Sequence, residues 1–213
     1  MVQAGTGTPI MGTAQATEQQ MGAYLRRFNP DAPDYARLYL EIGERYGVRG
    51  DLAFAQSIKE TGYWRFGGDV KPEQNNFAGL GATGGGARGA SFATPQEGIE
   101  AQIQHLYGYA TTAPLPSGAK LVDPRFSILQ SAGLRGAAPT WEQLNGRWAV
   151  PGVGYGESIV QIGREIAAEP VTDWKTSALE WLKAERLIDS PHDPDAPVTW
   201  AEFGTVLRRL AGK

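Results

Sequence analysis

The chain has 213 residues, with 20 basic and 23 acidic side chains and a formal net charge of −3. It contains no cysteine and two histidines, His105 and His192, which excludes thiol nucleophiles, disulfides, iron–sulfur clusters and thiolate zinc sites. Little is left for a histidine-based metal site, a Ser-His-Asp triad would need one of those two histidines, and acid–base work falls mainly on carboxylates and tyrosines. No metal and no cofactor is expected. No basic stripe points to nucleic acid, and no apolar run is long enough for a membrane span. The first 20 residues lack the features of a signal peptide. The length fits one domain plus a small appendage, large enough for a core without disulfides. Gly and Pro, at 28 and 14 residues, predict substantial loops.

Residues 1–16 are small and polar and are expected to lie extended. Thr17-Glu18-Gln19-Gln20 reads as a capping box, followed by Met21, Tyr24, Leu25 and Phe28 at helical spacing and a stop at Asn29-Pro30. A second helix is predicted from near Pro33, carrying Tyr35, Leu38, Tyr39 and Ile42 and ending near Gly43 or Gly47. Asp51 is the expected cap of a third, with Leu52, Phe54, Ala55 and Ile58 buried and Gly62 as the stop. From Tyr63 to Ala93 the helical period disappears. Gly84-Gly85-Gly86 argues against helix there, and loops with one small hairpin are expected. Thr94-Pro95-Gln96-Glu97 restarts a helix with a capping box and Pro at its first position, carrying Ile99, Ile103, Leu106 and Tyr107. Short helices are predicted at Arg125–Ser131 and Thr140–Leu144, and a longer one through Ile159, Ile162 and Ile166.

Ala168-Glu169-Pro170 reads as a boundary. The expected organisation is an extended segment at 1–16, a main domain at 17–169 and a small helix–loop–helix unit at 170–213. In the last unit, Trp174, Ala178, Trp181 and Leu182 form one amphipathic helix and Thr199-Trp200-Ala201-Glu202 caps another.

The stretch Asp51–Gly81 carries the chemistry. Its third helix ends at Glu60, directly before the aromatics Tyr63, Trp64 and Phe66. The negative end of the helix dipole and apolar neighbours both oppose ionisation of Glu60, as a general acid near neutral pH requires. The same residue also fits an ordinary solvated glutamate beside Lys59. His105, on a helical face with Leu106, reads as structural. The glycines of 79–89 lack the Gly-Lys-Ser/Thr of a phosphate loop.

Ala55-Gln56-Ser57-Ile58-Lys59-Glu60-Thr61-Gly62 followed by Asn75-Asn76-Phe77-Ala78-Gly79-Leu80 resembles the glucosaminidase domain of bacterial and phage cell-wall hydrolases, glycoside hydrolase family 73. The similarity continues through residues 89–99, Val122-Asp123-Pro124-Arg125-Phe126, Trp141-Glu142-Gln143-Leu144, Trp148-Ala149-Val150-Pro151-Gly152 and Tyr155-Gly156. What the resemblance implies is a mainly α, lysozyme-like α+β fold with a small irregular or β lobe. It also implies an endo-β-N-acetylglucosaminidase that cleaves the β-1,4 bond after N-acetylglucosamine in peptidoglycan glycan strands. Glu60 falls on the catalytic glutamate of the family. Asp69, Glu73 and Glu97 are candidates for a second carboxylate. Candidate substrate contacts are Gln74, Asn75, Asn76, Phe77, Trp64, Trp148 and Tyr155. Trp148 stands where many members have a functional tyrosine, and Tyr155 matches a later tyrosine expected to pack.

The rival readings are a muramidase or lytic transglycosylase on the same fold, and a wall-binding protein without activity. The last 40 or so residues resemble, more loosely, a surface-layer-homology repeat or a phage endolysin tail. Binding of secondary wall polymers, or oligomerisation, is the matching expectation. The working place would be the extracellular wall, reached by phage-type release from the cytoplasm or by a secreted protein trimmed at its start.

Overall fold

In the computed structural model, residues 7–82, 88–171 and 173–212 are described, with Trp174 as backbone alone. The expectations for residues 1–6 and for Gly84-Gly85-Gly86 fall outside these. The chain divides after Glu169 into two compact units. Among the described residues no helix is long and apolar enough to cross a membrane.

The first unit is built around α3 (Gly50–Thr61), which packs against α1 (Glu18–Phe28), α2 (Ala36–Tyr46), α4 (Pro95–Ala110) and α6 (Tyr155–Ala167). The sequence reason lies in its side chains. Leu52, Ala53, Phe54, Ala55 and Ile58 spread around the helix instead of along one stripe, and a helix of that pattern is buried on most sides. Every residue from Gly50 to Ile58 is buried, and the helix first meets solvent at Lys59 and Glu60.

The caps follow the sequence with three departures. Thr17 and Gln20 make the reciprocal capping box that starts α1. The second helix begins at Ala36 rather than near Pro33. Asp51 is not the cap of α3, which starts one residue earlier, at Gly50. The Asp51 carboxylate instead accepts from the Arg49 guanidinium at 2.7 Å and the Gln15 backbone N–H at 2.9 Å, tying the N-terminal segment to the helix. Thr94 caps α4 as expected, but Glu97 reaches back to the backbone N–H of Ala93 instead of closing the box on Thr94.

The fold is mainly helical, with a small irregular lobe between α3 and α4. No hairpin forms among its described residues; the isolated bridges, such as Met11 with Val48, lie elsewhere in the first unit. Side-chain amides take over the stitching. Asn75 donates to the Phe92 carbonyl at 3.0 Å, and Asn76 donates to the carbonyls of Leu80 and Ala90 while accepting from the Leu80 N–H. These bonds satisfy backbone groups that a ladder would otherwise have to pair. The remaining elements are α5 (Phe126–Ser131) and a 3₁₀ turn at Glu142–Leu144.

The second unit holds α7 (Trp174–Ala184) and α8 (Trp200–Ala211). Thr199 and Glu202 form a reciprocal capping box. Arg209 donates to the Leu187 carbonyl at 3.0 Å and to Asp189 at 3.0 Å, closing the loop between the helices. Inside this unit lies a largely apolar cavity of about 400 Å³, lined by Leu179, Leu182, Ile188, Phe203 and Val206 among others.

The irregular lobe is seated on α4 at Gly98, where an added Cβ would collide with the Asn75 carbonyl. Gly98→Ala should therefore destabilise the first unit by about 1–3 kcal/mol, the usual cost of overpacking. Thermal unfolding should show this as a fall of several degrees in Tm.

Candidate active site

Glu60 stands where α3 leaves the core. Gly62, at φ 59°, ends the helix in the left-handed region, and Tyr63 and Trp64 follow at φ 58° each. Three successive residues of this kind are costly for side chains with a Cβ. They are held by Trp64, whose indole N–H donates to Ser57 Oγ at 2.9 Å and whose ring packs among Tyr35, Phe54 and Phe77. Trp64 and Phe77, at 5% and 3% exposure, thus form the core beneath the site and do not face a substrate.

A chain of buried hydrogen bonds ends on Glu60. The Ala53 carbonyl can only accept, so the group 2.9 Å from it is the Gln102 amide N–H₂. That nitrogen also donates to Gln56 Oε1 at 2.8 Å. Gln56 must then present its own nitrogen to the Tyr155 hydroxyl, 2.8 Å away. With its lone pair engaged, the Tyr155 hydroxyl donates to Glu60 Oε1. At the far end the Tyr39 hydroxyl donates to Gln102 Oε1 at 2.9 Å. Gln56 and Gln102 are fully buried, where a broken amide bond costs about 1–3 kcal/mol. Tyr155, also a candidate substrate contact, therefore lies under the carboxylate and acts on it instead of lining the groove.

Glu60 keeps solvent on its groove side, but protein atoms surround the rest of it. That desolvation pushes its pKa up, against the downward pull of the Tyr155 hydrogen bond and, more weakly, of Lys59 and the Trp148 indole. Burial and the neighbouring Glu60 charge push the Tyr155 hydroxyl well above its ordinary value, so it remains a donor. Because Tyr155 occupies Oε1, Oε2 is the oxygen left to carry an acidic proton. It faces Gly79, whose ideal Cβ would sit 3.7 Å away.

Two cavities meet over Gly79 and Ala82. One, of about 200 Å³, is lined by Glu60, Asp69, Asn76 and Phe66 among others. The other, of about 530 Å³, is lined by Trp148, His105, Tyr109, Arg125 and Arg147 among others. Trp148 is half-buried and is oriented by the His105 ring, whose centroid lies 5.0 Å away at 81°. His105 is itself held by buried Asp123 at 2.7 Å.

Of the second-carboxylate candidates, Asp69 shares the cavity with Glu60. Glu73 lies outside the cavity lining, in the first turn of the 3₁₀ segment Pro72–Gln74. Glu97 is committed to the start of α4. Among the proposed substrate contacts, Gln74, Asn75 and Asn76 spend their amides on lobe carbonyls, Asn76 from the wall of the smaller cavity, whereas Trp148 lines the larger one. The Tyr39–Gln102–Gln56 chain escaped the sequence reading. Its signal was present, however: Gln56 and Gln102 interrupt otherwise apolar helix faces. No group of three or more residues suited to a metal ion occurs among the described residues.

Tyr155→Phe removes the hydrogen bond that favours the charged form of Glu60. The Glu60 pKa should then rise further above the ordinary glutamate range, as followed by NMR titration of ¹³C-labelled glutamate. An unmoved or lowered value would contradict the coupling.

Residues 36–166 match the glucosaminidase family, described as mannosyl-glycoprotein endo-beta-N-acetylglucosaminidase. A Borreliella burgdorferi protein described as an uncharacterized protein is 43% identical over 114 residues, covering 54% of this chain and 53% of that protein. The chain thus spans about half the length of that relative. No solved structure matches the chain. The family match runs from the start of α2 into the last turn of α6 and takes in the Glu60 helix end, the Asn-Asn-Phe turn and Tyr155. On that coverage, the chain belongs to the glucosaminidase family.

Proposed function

We propose that the chain is a peptidoglycan hydrolase, an endo-β-N-acetylglucosaminidase that cuts the β-1,4 bond after N-acetylglucosamine with Glu60 as proton donor. The observation that carries this reading is a partly desolvated carboxyl in the wall of the smaller groove arm, with one oxygen engaged from below by Tyr155. Family membership supports the reaction class.

In this mechanism the Oε2 proton of Glu60 passes to the glycosidic oxygen as the bond from that oxygen to C1 breaks. Positive charge develops at C1 and the ring oxygen. Water adds to C1, and its proton passes to a second carboxylate. Asp69 is our candidate because it lines the same cavity. Tyr155 keeps its hydrogen bond throughout and stabilises the Glu60 carboxylate once the proton has left. Trp148 offers an aromatic face beside Glu60 for a sugar ring. Action on the wall implies an extracellular place of work.

The sign of the pH dependence follows from the donor role. A general acid must be protonated, so turnover should fall as pH rises through the Glu60 pKa. Because burial raises that pKa, the fall should come at higher pH than for an ordinary glutamate. Glu60→Gln should lower turnover of purified peptidoglycan by about 10²–10⁴-fold with the circular-dichroism spectrum unchanged. Mass spectrometry of the released fragments should show reducing N-acetylglucosamine ends. Reducing muramic acid ends would indicate a muramidase, and 1,6-anhydro ends a lytic transglycosylase.

A further inference from the structure

The two arms of the groove carry opposite charge. Apart from Glu60, the charged residue among the described lining of the smaller arm is Asp69. The larger arm, of about 530 Å³, has Arg125 and Arg147 in its lining and no carboxylate among the described lining residues. Its histidine, His105, is already bonded to Asp123 behind the wall. Neither arginine makes an ion pair among the described residues. Arg147 spends one N–H on the Gln143 carbonyl at 2.8 Å. Both arginines line the same cavity as Tyr109. Arg125 is half-buried, so its charge is screened less than that of an open surface residue.

A neutral sugar chain gives two unpaired guanidinium groups nothing to bind as ions. A glycan bearing peptide stems does, because the stems carry free carboxylates, and a guanidinium fork matches a carboxylate in two parallel hydrogen bonds. We propose that this arm is a subsite for a carboxylate of the peptide stems, held by Arg125 and Arg147. The proposal rests on the reading of the substrate as peptidoglycan. It makes the stem-bearing strand, and not a bare amino-sugar polymer, the ligand of the groove.

The test is affinity, measured by calorimetry on the full chain carrying Glu60→Gln. The probes are soluble glycan strands with their stems and the same strands with the stem carboxylates converted to primary amides. Strands with free stem carboxylates should bind about ten- to hundredfold more tightly, the range for hydrogen bonds to charged groups. Adding Arg125→Gln or Arg147→Gln should bring the ratio toward one, and Arg125→Lys should keep part of it. Free stem tripeptide should displace the strands at concentrations where inorganic phosphate does not. Equal affinity for both strands, or a ratio unmoved by both glutamine variants, overturns the proposal. So does displacement by phosphate in preference to the tripeptide. Binding is read apart from turnover. A chain that shows the carboxylate preference without cutting either strand would overturn the hydrolase reading and leave this subsite standing.

Discussion

The carbonyl oxygen of Ala53 can only accept a hydrogen bond, and from that one constraint the polarity of the buried core is set as far as Glu60. It fixes which end of the Gln102 amide faces inward, then that of Gln56, then the direction in which the Tyr155 hydroxyl points. No member can be reversed without leaving a buried donor facing a donor or an acceptor facing an acceptor, so the chain has one low-energy arrangement. Its consequence at the surface is that Tyr155 occupies Oε1 of Glu60 while Oε2 faces Gly79. The acid is thereby oriented by groups that never meet the substrate.

That arrangement depends on α3 being enclosed almost to its end. A helix buried only on one stripe would leave Gln56 beside water, where its amide could turn. Here α1, α2, α4 and α6 all contact α3. The polar chain threads through a core that otherwise consists of apolar and aromatic side chains. Glu60 is the point where enclosure gives out, which explains how it can be both reachable and poorly solvated.

The opposite wall of the groove is made differently. The irregular lobe has no ladder among its described residues, so Asn75 and Asn76 bind its backbone directly. Trp148 is steadied from behind by His105 and Asp123, and Gln104 secures that layer by accepting from the N–H groups of Val122 and Asp123 at 2.9 and 3.0 Å. Much of the polar side-chain chemistry near the groove is thus architectural. What remains free to act on a ligand is Glu60, Asp69, Trp148 and the two arginines of the larger arm.

The sequence by itself determined the helices and several of their caps, because a capping box, a Pro at the first turn and a Gly at the stop act over a few residues. It also marked Glu60 as the residue to examine, since helix end, aromatics and the Asn-Asn-Phe turn lie within one short stretch. It misjudged the local start of α3, where the Asp51 carboxylate is drawn to Arg49 and Gln15 instead of to the helix N-terminus. Tyr155 appeared only as a packing residue or sugar contact, and Gln56 and Gln102 went unnoticed. Tertiary structure alone decided those roles, because the three residues come from α3, α4 and α6 and meet only when the helices pack. The same holds for the second carboxylate. Glu97 already belonged to a capping box in the sequence, but Asp69 and Glu73 are alike there, and only the closing of the lobe over α3 brings Asp69 into the cavity of Glu60.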